Sequence, residues 1–393
     1  MAVLRLDTAA ALPVDGAKGT LVGRVWRPDL GGPAIVVVRD GGVHDISRAF
    51  PTMRDLCEAE HAAAAVAKAQ GEKIGELAAI LANTVEATRD ERKPWLVAPN
   101  DLQAIKAAGV TFAVSLLERV IEEQARGAPE RAAAARAEVE AALGGAVERL
   151  KPGSPEAMEL KKLLQAKGLW SQYLEVGIGP DAEIFTKAQP MSAVGTGALI
   201  GILAASHWNN PEPEVVVVVN SRGAIVGATL GNDVNLRDIE GRSALLLSKA
   251  KDNNASTAIG PFIRLFDGGF SLDDVRDADV RLVVEGTDGF RLDGSSHVAK
   301  ISRDPADLVA QMLGRHHQYP DGAVLFLGTM FAPIKDRDGP GQGFTHHEGD
   351  VVTIASDKLG ALVNVVTTSD RAPPWTFGPG ALMHNLAKRG LLK

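Results

Sequence analysis

The most constraining feature of the sequence is a run of five valines, Val215 to Val219, that directly follows Glu212, Pro213 and Glu214. Such a run of β-branched residues is typical of a strand that is buried on both faces. In an extended chain the two glutamates at its start point to the same side. Two carboxylates beside a buried strand are costly unless a cation neutralises them. The segment therefore predicts either a cation site or two glutamates that face solvent before the strand begins.

Composition and charge narrow the class of protein. The chain has 393 residues, of which 45% are hydrophobic, and this is enough for a substantial core in one large or two unequal domains. Its net charge of −7 gives no electrostatic reason to bind nucleic acid or anionic lipid. The N-terminus lacks the pattern of a signal peptide, no apolar segment is long enough to span a bilayer, and Cys57 is the single cysteine. We expect a cytoplasmic protein without nucleic-acid or membrane partners.

The spacing of apolar residues predicts an α+β protein in two parts. Residues 1–95 are predicted to form a small β-rich module with helix, in which residues 52–84 are helical with a weak point at Gly71. Residues 96–393 are predicted to form the catalytic domain, in which a helical insertion at about 119–168 precedes many short strands. These strands indicate a mainly β domain, either a barrel or a folded sheet.

A third acid follows the next predicted strand. Asp233 comes directly after GAIVGATLGN, and a hairpin would return it alongside Glu212 and Glu214. The alternative is that Asp233 caps a helix or stabilises a turn. Three carboxylates without a cysteine or an adjacent histidine suit Mg²⁺ or Mn²⁺ rather than zinc.

Lysines and histidines provide weaker candidates. Of Lys249 and Lys251, one is expected to be a solvated surface charge, whereas a partly buried lysine beside a dication would serve proton transfer or hold an oxyanion. Each histidine pair, 316–317 and 346–347, would point to opposite faces of a strand, so we expect structural or exposed roles for them.

Several blocks of the sequence, in order, resemble the fumarylacetoacetate hydrolase superfamily. They are IFTKAQPMSAVGTGALI, EPEVVVVV, GNDVNLRD, SKAKDNNASTAIGP, FLGT and GDVVTIASDKLGALVN, and the resemblance extends from about Trp95 to the C-terminus. It implies a mixed β-roll fold in which Glu212, Glu214 and Asp233 bind a divalent cation, Mg²⁺ or Mn²⁺, that chelates a 2-oxo acid. It also implies a homodimer or homotetramer.

One departure from the superfamily pattern bears on the reaction. Members that hydrolyse carbon–carbon bonds have a histidine and a glutamate in a block that corresponds to GVTFAVSLLE, and here Ser115 stands at the histidine position while Glu118 is retained. A serine cannot replace the imidazole as a base at ordinary pH, so hydrolysis by that dyad is not expected.

The phrases SHWNNPEPE, GNDVNLRDIEGRSALLLSKAKDNNAS and PGQGFTH are similar to the 2-keto-3-deoxypentonate dehydratases of this superfamily. This resemblance implies a metal-dependent hydro-lyase that converts a 2-keto-3-deoxy-D-pentonate (xylonate or arabinonate) to 2,5-dioxopentanoate, also called α-ketoglutarate semialdehyde, in non-phosphorylative pentose catabolism. The small-molecule partner would be that 2-keto-3-deoxy sugar acid.

The resemblance also suggests roles for individual residues. Lys251 would handle the C3 proton or the enolate, and Glu118, with Ser115 near it, would protonate the leaving hydroxyl. Lys187 and Thr329 match superfamily positions that contact the substrate, and Met330 replaces the proline that usually follows the threonine.

Two other functions stay open at this point. One is a hydrolase or decarboxylase of a 2,4-dioxo acid that uses Glu118 without a histidine. The other is a non-catalytic protein that binds sugar acids.

Overall fold

The computed structural model describes residues 4–143, 150–168, 170–331 and 333–392. The strands are β1 (Leu21–Arg27), β2 (Gly32–Arg39), β3 (Gly42–Asp45), β4 (Glu72–Glu76), β5 (Trp95–Val97), β6 (Ala104–Gly109), β7 (Glu183–Ala188), β8 (Leu199–Ile202), β9 (Asn209–Asn210), β10 (Pro213–Val219), β11 (Ile225–Asp233), β12 (Asn235–Leu236), β13 (Thr257–Leu265), β14 (Asp279–Glu285), β15 (Arg291–His297), β16 (Ala323–Phe326), β17 (Val351–Ser356) and β18 (Gly360–Thr368). The helices are α1 (Thr8–Ala11), α2 (Met53–Glu58), α3 (Ala62–Lys68), α4 (Leu77–Thr84), α5 (Ala113–Ala125), α6 (Ala132–Leu143), α7 (Pro155–Ala166), α8 (Gln172–Ile178), α9 (Arg237–Glu240), α10 (Leu247–Lys251), α11 (Leu272–Arg276), α12 (Pro305–Met312) and α13 (Pro379–Lys388).

Two mixed sheets carry the fold. In the described part of the chain the larger has 11 strands, in the order β4-β3-β2-β1-β13-β11-β10-β16-β6-β7, with β5 paired to β1. The smaller has five strands, in the order β15-β14-β17-β18-β8. The pairs β16–β6 and β18–β8 are parallel, and the other pairs between neighbouring strands are antiparallel. The architecture is therefore α+β with mixed sheets, as the sequence predicts.

The valine strand β10 lies between β11 and β16 inside the larger sheet, so its backbone is paired on both edges. Val215, Val217 and Val219 contribute to a core shared with the smaller sheet. Val216 and Val218 belong to a second core beneath α2 and α3. All five valines are fully buried because each face of the strand is covered by a different core.

The N-terminal strands join the same sheet as the rest of the chain. β1 pairs with β13, where Leu21 lies opposite Arg264, and the residues of α2 and α3 share a core with β10. The sheet and the core both run across the boundary between residues 95 and 96. The predicted division of the chain into 1–95 and 96–393 stays a prediction.

The helix predicted for residues 52–84, with a weak point at Gly71, is interrupted by a strand. After α2 and α3 the chain forms β4, which pairs with β3, and only then does α4 begin. Gly71, interpreted as a weak point in a helix, leads into this strand, and a Cβ there would lie 2.9 Å from the carbonyl oxygen of Asp45. Pairing with β3 overrides the helical composition of the segment.

Helices α5, α6 and α7 lie where the sequence predicts a helical insertion, and they pack with α8 around a core of their own. Residues 144–149 of the predicted insertion lie outside the described residues. None of the helices in the described ranges is long and apolar enough to cross a membrane.

Candidate active site

Three buried carboxylates meet where β10 begins and β11 ends. Glu212 directly precedes β10, Glu214 is its second residue, and Asp233 ends β11. Because the strands are antiparallel, with Pro213 opposite Asn232, the hairpin brings the acids together. One carboxylate oxygen from each residue lies within 4.8 Å of the others. The alternative of solvent-facing glutamates is wrong, since all three side chains are buried.

Two buried lysines contact the acids. Lys251 Nζ lies 2.6 Å from Oε2 of Glu212 and 3.1 Å from Oδ2 of Asp233. Lys187 Nζ lies 3.2 Å from Oδ1 of Asp233, and it donates hydrogen bonds to the carbonyl oxygens of Lys251 and Ser256. Lys249, in contrast, is exposed. Of the two lysines considered from the sequence, Lys251 is the one that lies in the site.

The electrostatics of the site favour a cation. Burial, reinforced by Asp233 and Glu212, raises the pKa of Glu214 well above its usual range, although its Oε2 accepts a 2.7 Å hydrogen bond from the amide of Gly328. Burial also acts on Glu212, but Lys251 and Arg119 outweigh it and lower the pKa of that carboxyl. Hard oxygen ligands that repel one another in a buried site fit Mg²⁺ or Mn²⁺.

The two lysines differ in their protonation. Burial disfavours the ammonium form of Lys251, but Asp233 and Glu212 outweigh it and raise its pKa. Burial lowers the pKa of Lys187, and Asp233 only partly offsets this. Without a bound cation, Lys251 therefore acts as the counter-ion of the acids.

Arg119 is a site residue that the sequence reasoning missed. Its guanidinium, on α5, contacts the carboxylate of Glu212, lies 2.6 Å from Oε2 of Glu122 and lies 3.4 Å from Oε1 of Glu240. Arg237 joins this group of ion pairs, because its Nε lies 3.2 Å from Oε1 of Glu122. The available signal was an arginine and a glutamate one turn apart on the same helix.

Glu183, at the start of β7, was also missed. Burial is the main cause that raises the pKa of Glu183 to about 7, with Glu240 adding to it, while Arg119 and Lys251 lower it. The carboxyl lies against Gly109 on the neighbouring strand β6, where a Cβ would overlap its Oε2. A carboxyl with a pKa near neutrality suits proton transfer.

Glu118 and Ser115 have other partners. Oε2 of Glu118 accepts a 2.9 Å hydrogen bond from Nη2 of Arg136 on α6, and a second bond joins the same two side chains. Ser115 Oγ accepts from the amide of Phe112 at 3.3 Å and donates to its carbonyl at 2.8 Å, which caps the start of α5. Their roles in catalysis and substrate binding stay predictions, and these contacts do not favour them.

Thr329 follows Gly328, the residue whose amide binds Glu214, and so lies at the edge of the acid cluster. Its Oγ1 donates a 3.0 Å hydrogen bond to the carbonyl oxygen of Phe331. Its predicted contact with the substrate stays a prediction.

The histidine pairs lie in different environments. His316 and His317 are exposed. His346 is buried, with Nδ1 3.1 Å from Oδ2 of Asp350, while His347 reaches Asp338. None of these contacts includes a member of the acid cluster.

The fold and the acid cluster define a recognisable class of protein. Residues 175–367 match the family described as Fumarylacetoacetate (FAA) hydrolase C-terminal. Over these residues the chain is similar to the fumarylacetoacetate hydrolase family, and the resemblance derived from the sequence blocks is confirmed.

Two curated relatives are similar to half of the chain. A "Probable 2-keto-3-deoxyxylonate dehydratase" of Haloferax volcanii is 34% identical over 196 residues, which are 50% of this chain and 64% of that protein. A "2-dehydro-3-deoxy-D-arabinonate dehydratase" of Saccharolobus solfataricus is 34% identical over 187 residues, which are 47% of this chain and 58% of that protein. The matched regions thus span less than two thirds of the length of either relative.

Solved structures support the fold over a longer range. A structure described as "2-keto-3-deoxy-D-arabinonate dehydratase complexed with magnesium and 2,5-dioxopentanoate" has a TM-score of 0.59 and 20% identity, and the alignment covers 89% of this chain and 99% of that one. A structure described as "2-keto-3-deoxy-D-arabinonate dehydratase apo form" has a TM-score of 0.60 and 20% identity. At this identity the likeness establishes the fold alone.

Proposed function

We propose that this protein is a metal-dependent hydro-lyase that converts a 2-keto-3-deoxy-D-pentonate to 2,5-dioxopentanoate. The observation that carries the proposal is the cluster of Glu212, Glu214 and Asp233 with Lys251 in contact. The two curated relatives are named as dehydratases of such sugar acids, and the similar structure was solved with magnesium and the dioxo acid. The cytoplasmic location and a homodimeric or homotetrameric state remain predictions.

The three carboxylates would hold one divalent cation, Mg²⁺ by preference, with Mn²⁺ as the alternative. Such a cation, when bound, withdraws electron density from a chelated 2-oxo acid and so acidifies its C3 proton. The protein contributes a buried setting, in which charges interact more strongly than in water. We assign the neutralisation of a substrate carboxylate to Lys187, which donates hydrogen bonds to the carbonyl oxygens of Lys251 and Ser256.

The reaction requires two kinds of proton transfer. Loss of a C3 proton and of the C4 hydroxyl gives a C3–C4 double bond plus water, and transfer of a proton from C5 to C3 then gives an enol that tautomerises to the aldehyde. We assign the C3 proton, or the charge left by its removal, to Lys251. We assign protonation of the leaving hydroxyl to Glu183, whose pKa of about 7 allows a protonated carboxyl near neutral pH. This assignment replaces Glu118, whose carboxylate is held by Arg136.

Product identity tests the proposal. Purified protein with Mg²⁺ is incubated with 2-keto-3-deoxy-D-xylonate, with 2-keto-3-deoxy-D-arabinonate and with an acylpyruvate, and products are identified by mass spectrometry. Formation of 2,5-dioxopentanoate that stops on addition of EDTA is the expected result. Cleavage of the acylpyruvate without dehydration would instead support the hydrolase or decarboxylase, and tight binding without any turnover would support the non-catalytic protein.

A further inference from the structure

A pocket that is distinct from the acid cluster lies on one face of the three strands β5, β1 and β2. In the antiparallel register Trp26 lies opposite both Trp95 and Pro33, so these three side chains share a face with Arg24, two residues along β1. The two indole rings are stacked with centroids 5.8 Å apart, and Phe377 meets Trp26 edge-on at 5.0 Å. They line a cavity of about 200 Å³.

The pocket contains a buried arginine that forms no close ion pair with any carboxylate of the described residues. Arg24 is 5% exposed and lines the cavity, yet within the described ranges it takes part in no ion pair. Its Nη1 donates only to the carbonyl oxygens of Ala98 and Asn100, and its Nε has no hydrogen-bond partner. Burial lowers the pKa of Arg24, and the charge of Asp101 offsets this only in part, so an anion closer to the guanidinium would stabilise it.

A second arginine reaches the same cavity. Arg89 lies with its Cζ 4.9 Å from the ring centroid of Trp95, and its Nη2 donates to the carbonyl oxygen of Thr84. Its Nε is buried without a partner. Glu86 also lines the cavity and its charge acts on Arg89, while its Oε2 accepts a 2.9 Å hydrogen bond from the amide of Leu199. Two guanidinium groups, one carboxylate and the stacked indoles therefore surround a space that is too small for a segment of another protein.

This pocket is separate from the acid cluster. Its lining includes neither the three acids nor Lys187 or Lys251. The two regions approach each other at the loop after α10, where Ala255 lines the pocket and the next residue, Ser256, accepts a hydrogen bond from Lys187. A ligand of this pocket would thus not be the ligand of the catalytic site.

We propose that this pocket binds a small organic carboxylate that has a flat or ring-shaped face. The ring would stack on Trp26 and Trp95, and the carboxylate would accept hydrogen bonds from Arg24 and Arg89, the planar donors best suited to it. An aromatic carboxylate and a sugar acid in its ring form share this chemistry. The proposal does not depend on the proposed function.

Binding to the full-length protein tests the proposal. Benzoate represents an aromatic carboxylate, and D-glucuronate represents a sugar acid in its ring form. Benzamide and D-glucose are their neutral counterparts. Calorimetry and tryptophan fluorescence are recorded on the wild type and on Asp233→Asn, in which the acid cluster is disabled. We expect at least one of the acids to bind both proteins alike, with a Kd below about 10 mM, and its neutral counterpart to bind at least about tenfold more weakly.

Variants of the arginines identify the site. Arg24→Met and Arg89→Met should each weaken binding at least about tenfold. Arg92→Met is the matched control, because Arg92 is 90% exposed on the same loop, and it should bind like the wild type. Since Arg89 is less deeply buried than Arg24, its variant carries the test if Arg24→Met does not fold.

The proposal is overturned if neither acid binds, if the neutral compounds bind equally well, or if Asp233→Asn abolishes binding. It is likewise overturned if Arg92→Met weakens binding as much as Arg89→Met, because net charge alone would then account for the affinity. The ratio of the affinities for benzoate and D-glucuronate decides whether the pocket prefers an aromatic carboxylate or a sugar acid.

Discussion

Lys251 Nζ lies 2.6 Å from Oε2 of Glu212, with both side chains less than 5% exposed. The short helix α10 positions the lysine, and the start of β10 positions the glutamate, so two distant parts of the sequence form this ion pair. The arrangement places a primary amine directly beside the proposed metal ligands. An amine in this place can take up a proton from a bound substrate or neutralise the charge that its loss creates.

Lys251→Met should lower kcat by at least about 10²-fold, because no other amine of the described residues contacts both Glu212 and Asp233. The affinity for Mg²⁺, measured by calorimetry, should not fall, since the change removes a positive charge from the site. Lys249→Met, on the exposed side of the same helix, should keep wild-type kinetics. Full activity in Lys251→Met would refute its role.

Glu214→Gln should separate stability from metal binding. In the metal-free protein burial and the neighbouring acids raise the pKa of Glu214, so its folded state prefers the proton and the free energy of unfolding falls as pH rises above about 4.5. At pH 8 the metal-free variant should therefore melt at a higher temperature than the metal-free wild type. Mg²⁺ should raise the Tm of the wild type and leave that of Glu214→Gln unchanged.

The control for this melting experiment is Glu159→Gln, which removes a 75% exposed carboxylate from α7. It should change neither the Tm of the metal-free protein nor the increase in Tm caused by Mg²⁺. A lower Tm for metal-free Glu214→Gln at pH 8 would contradict the charge repulsion inferred for the cluster.

Glu183 should impose a pH dependence on turnover. Because the carboxyl must be protonated to act as the acid, kcat should decline as pH rises through about 7, and Glu183→Gln should lose about 10²-fold or more. The raised pKa also means that the unfolding free energy decreases between about pH 4.5 and 7, by at most about 3 kcal/mol. Urea titrations of Glu183→Gln across this range should lack that decrease.

Glu118→Gln discriminates between the two candidate acids. Since its carboxylate is held by Arg136, we expect the variant to retain kcat within about tenfold while losing up to a few kcal/mol of stability. Steady-state kinetics in parallel with Glu183→Gln provide the comparison. Greater loss in Glu118→Gln than in Glu183→Gln would restore the assignment made from the sequence.

Arg119→Met should destabilise the protein by about 3–5 kcal/mol, because Glu122, Glu212 and Glu240 would lose a buried counter-charge. Arg119→Lys keeps the charge but loses the planar set of guanidinium donors, so its free energy of unfolding should lie between those of Arg119→Met and the wild type. Arg131→Met, at an exposed position near the start of α6, is the control. Chemical denaturation monitored by circular dichroism measures all three.

The acid cluster was predictable because it depends on local rules. Alternation along a strand puts Glu212 and Glu214 on one side, and a hairpin returns Asp233 to them. Both rules act within a short segment. The family blocks then added the fold, which composition and periodicity had limited only to a mainly β domain with helices.

The rest of the site depends on contacts between distant segments. Arg119 reaches Glu212 from a helix far back in the chain, and Glu183 acquires its raised pKa from burial that arises only when β6 and β7 pair. Glu118 and Arg119 are neighbours in sequence but lie about 100° apart around the helix, so one meets α6 and the other meets the acids. A motif comparison selects the position, whereas packing decides which of the two side chains reaches the site.

The pairing of β10 on both edges has a consequence for how this chain can change in evolution. Deletion or insertion of one residue among the valines would turn Glu214 toward the opposite face and exchange the sets of side chains that fill the two cores. Lineages should accordingly preserve the length of this segment even where individual valines drift to isoleucine, and accumulate length differences in surface connections such as that between α5 and α6. Gap placement across related genomes would reveal that contrast.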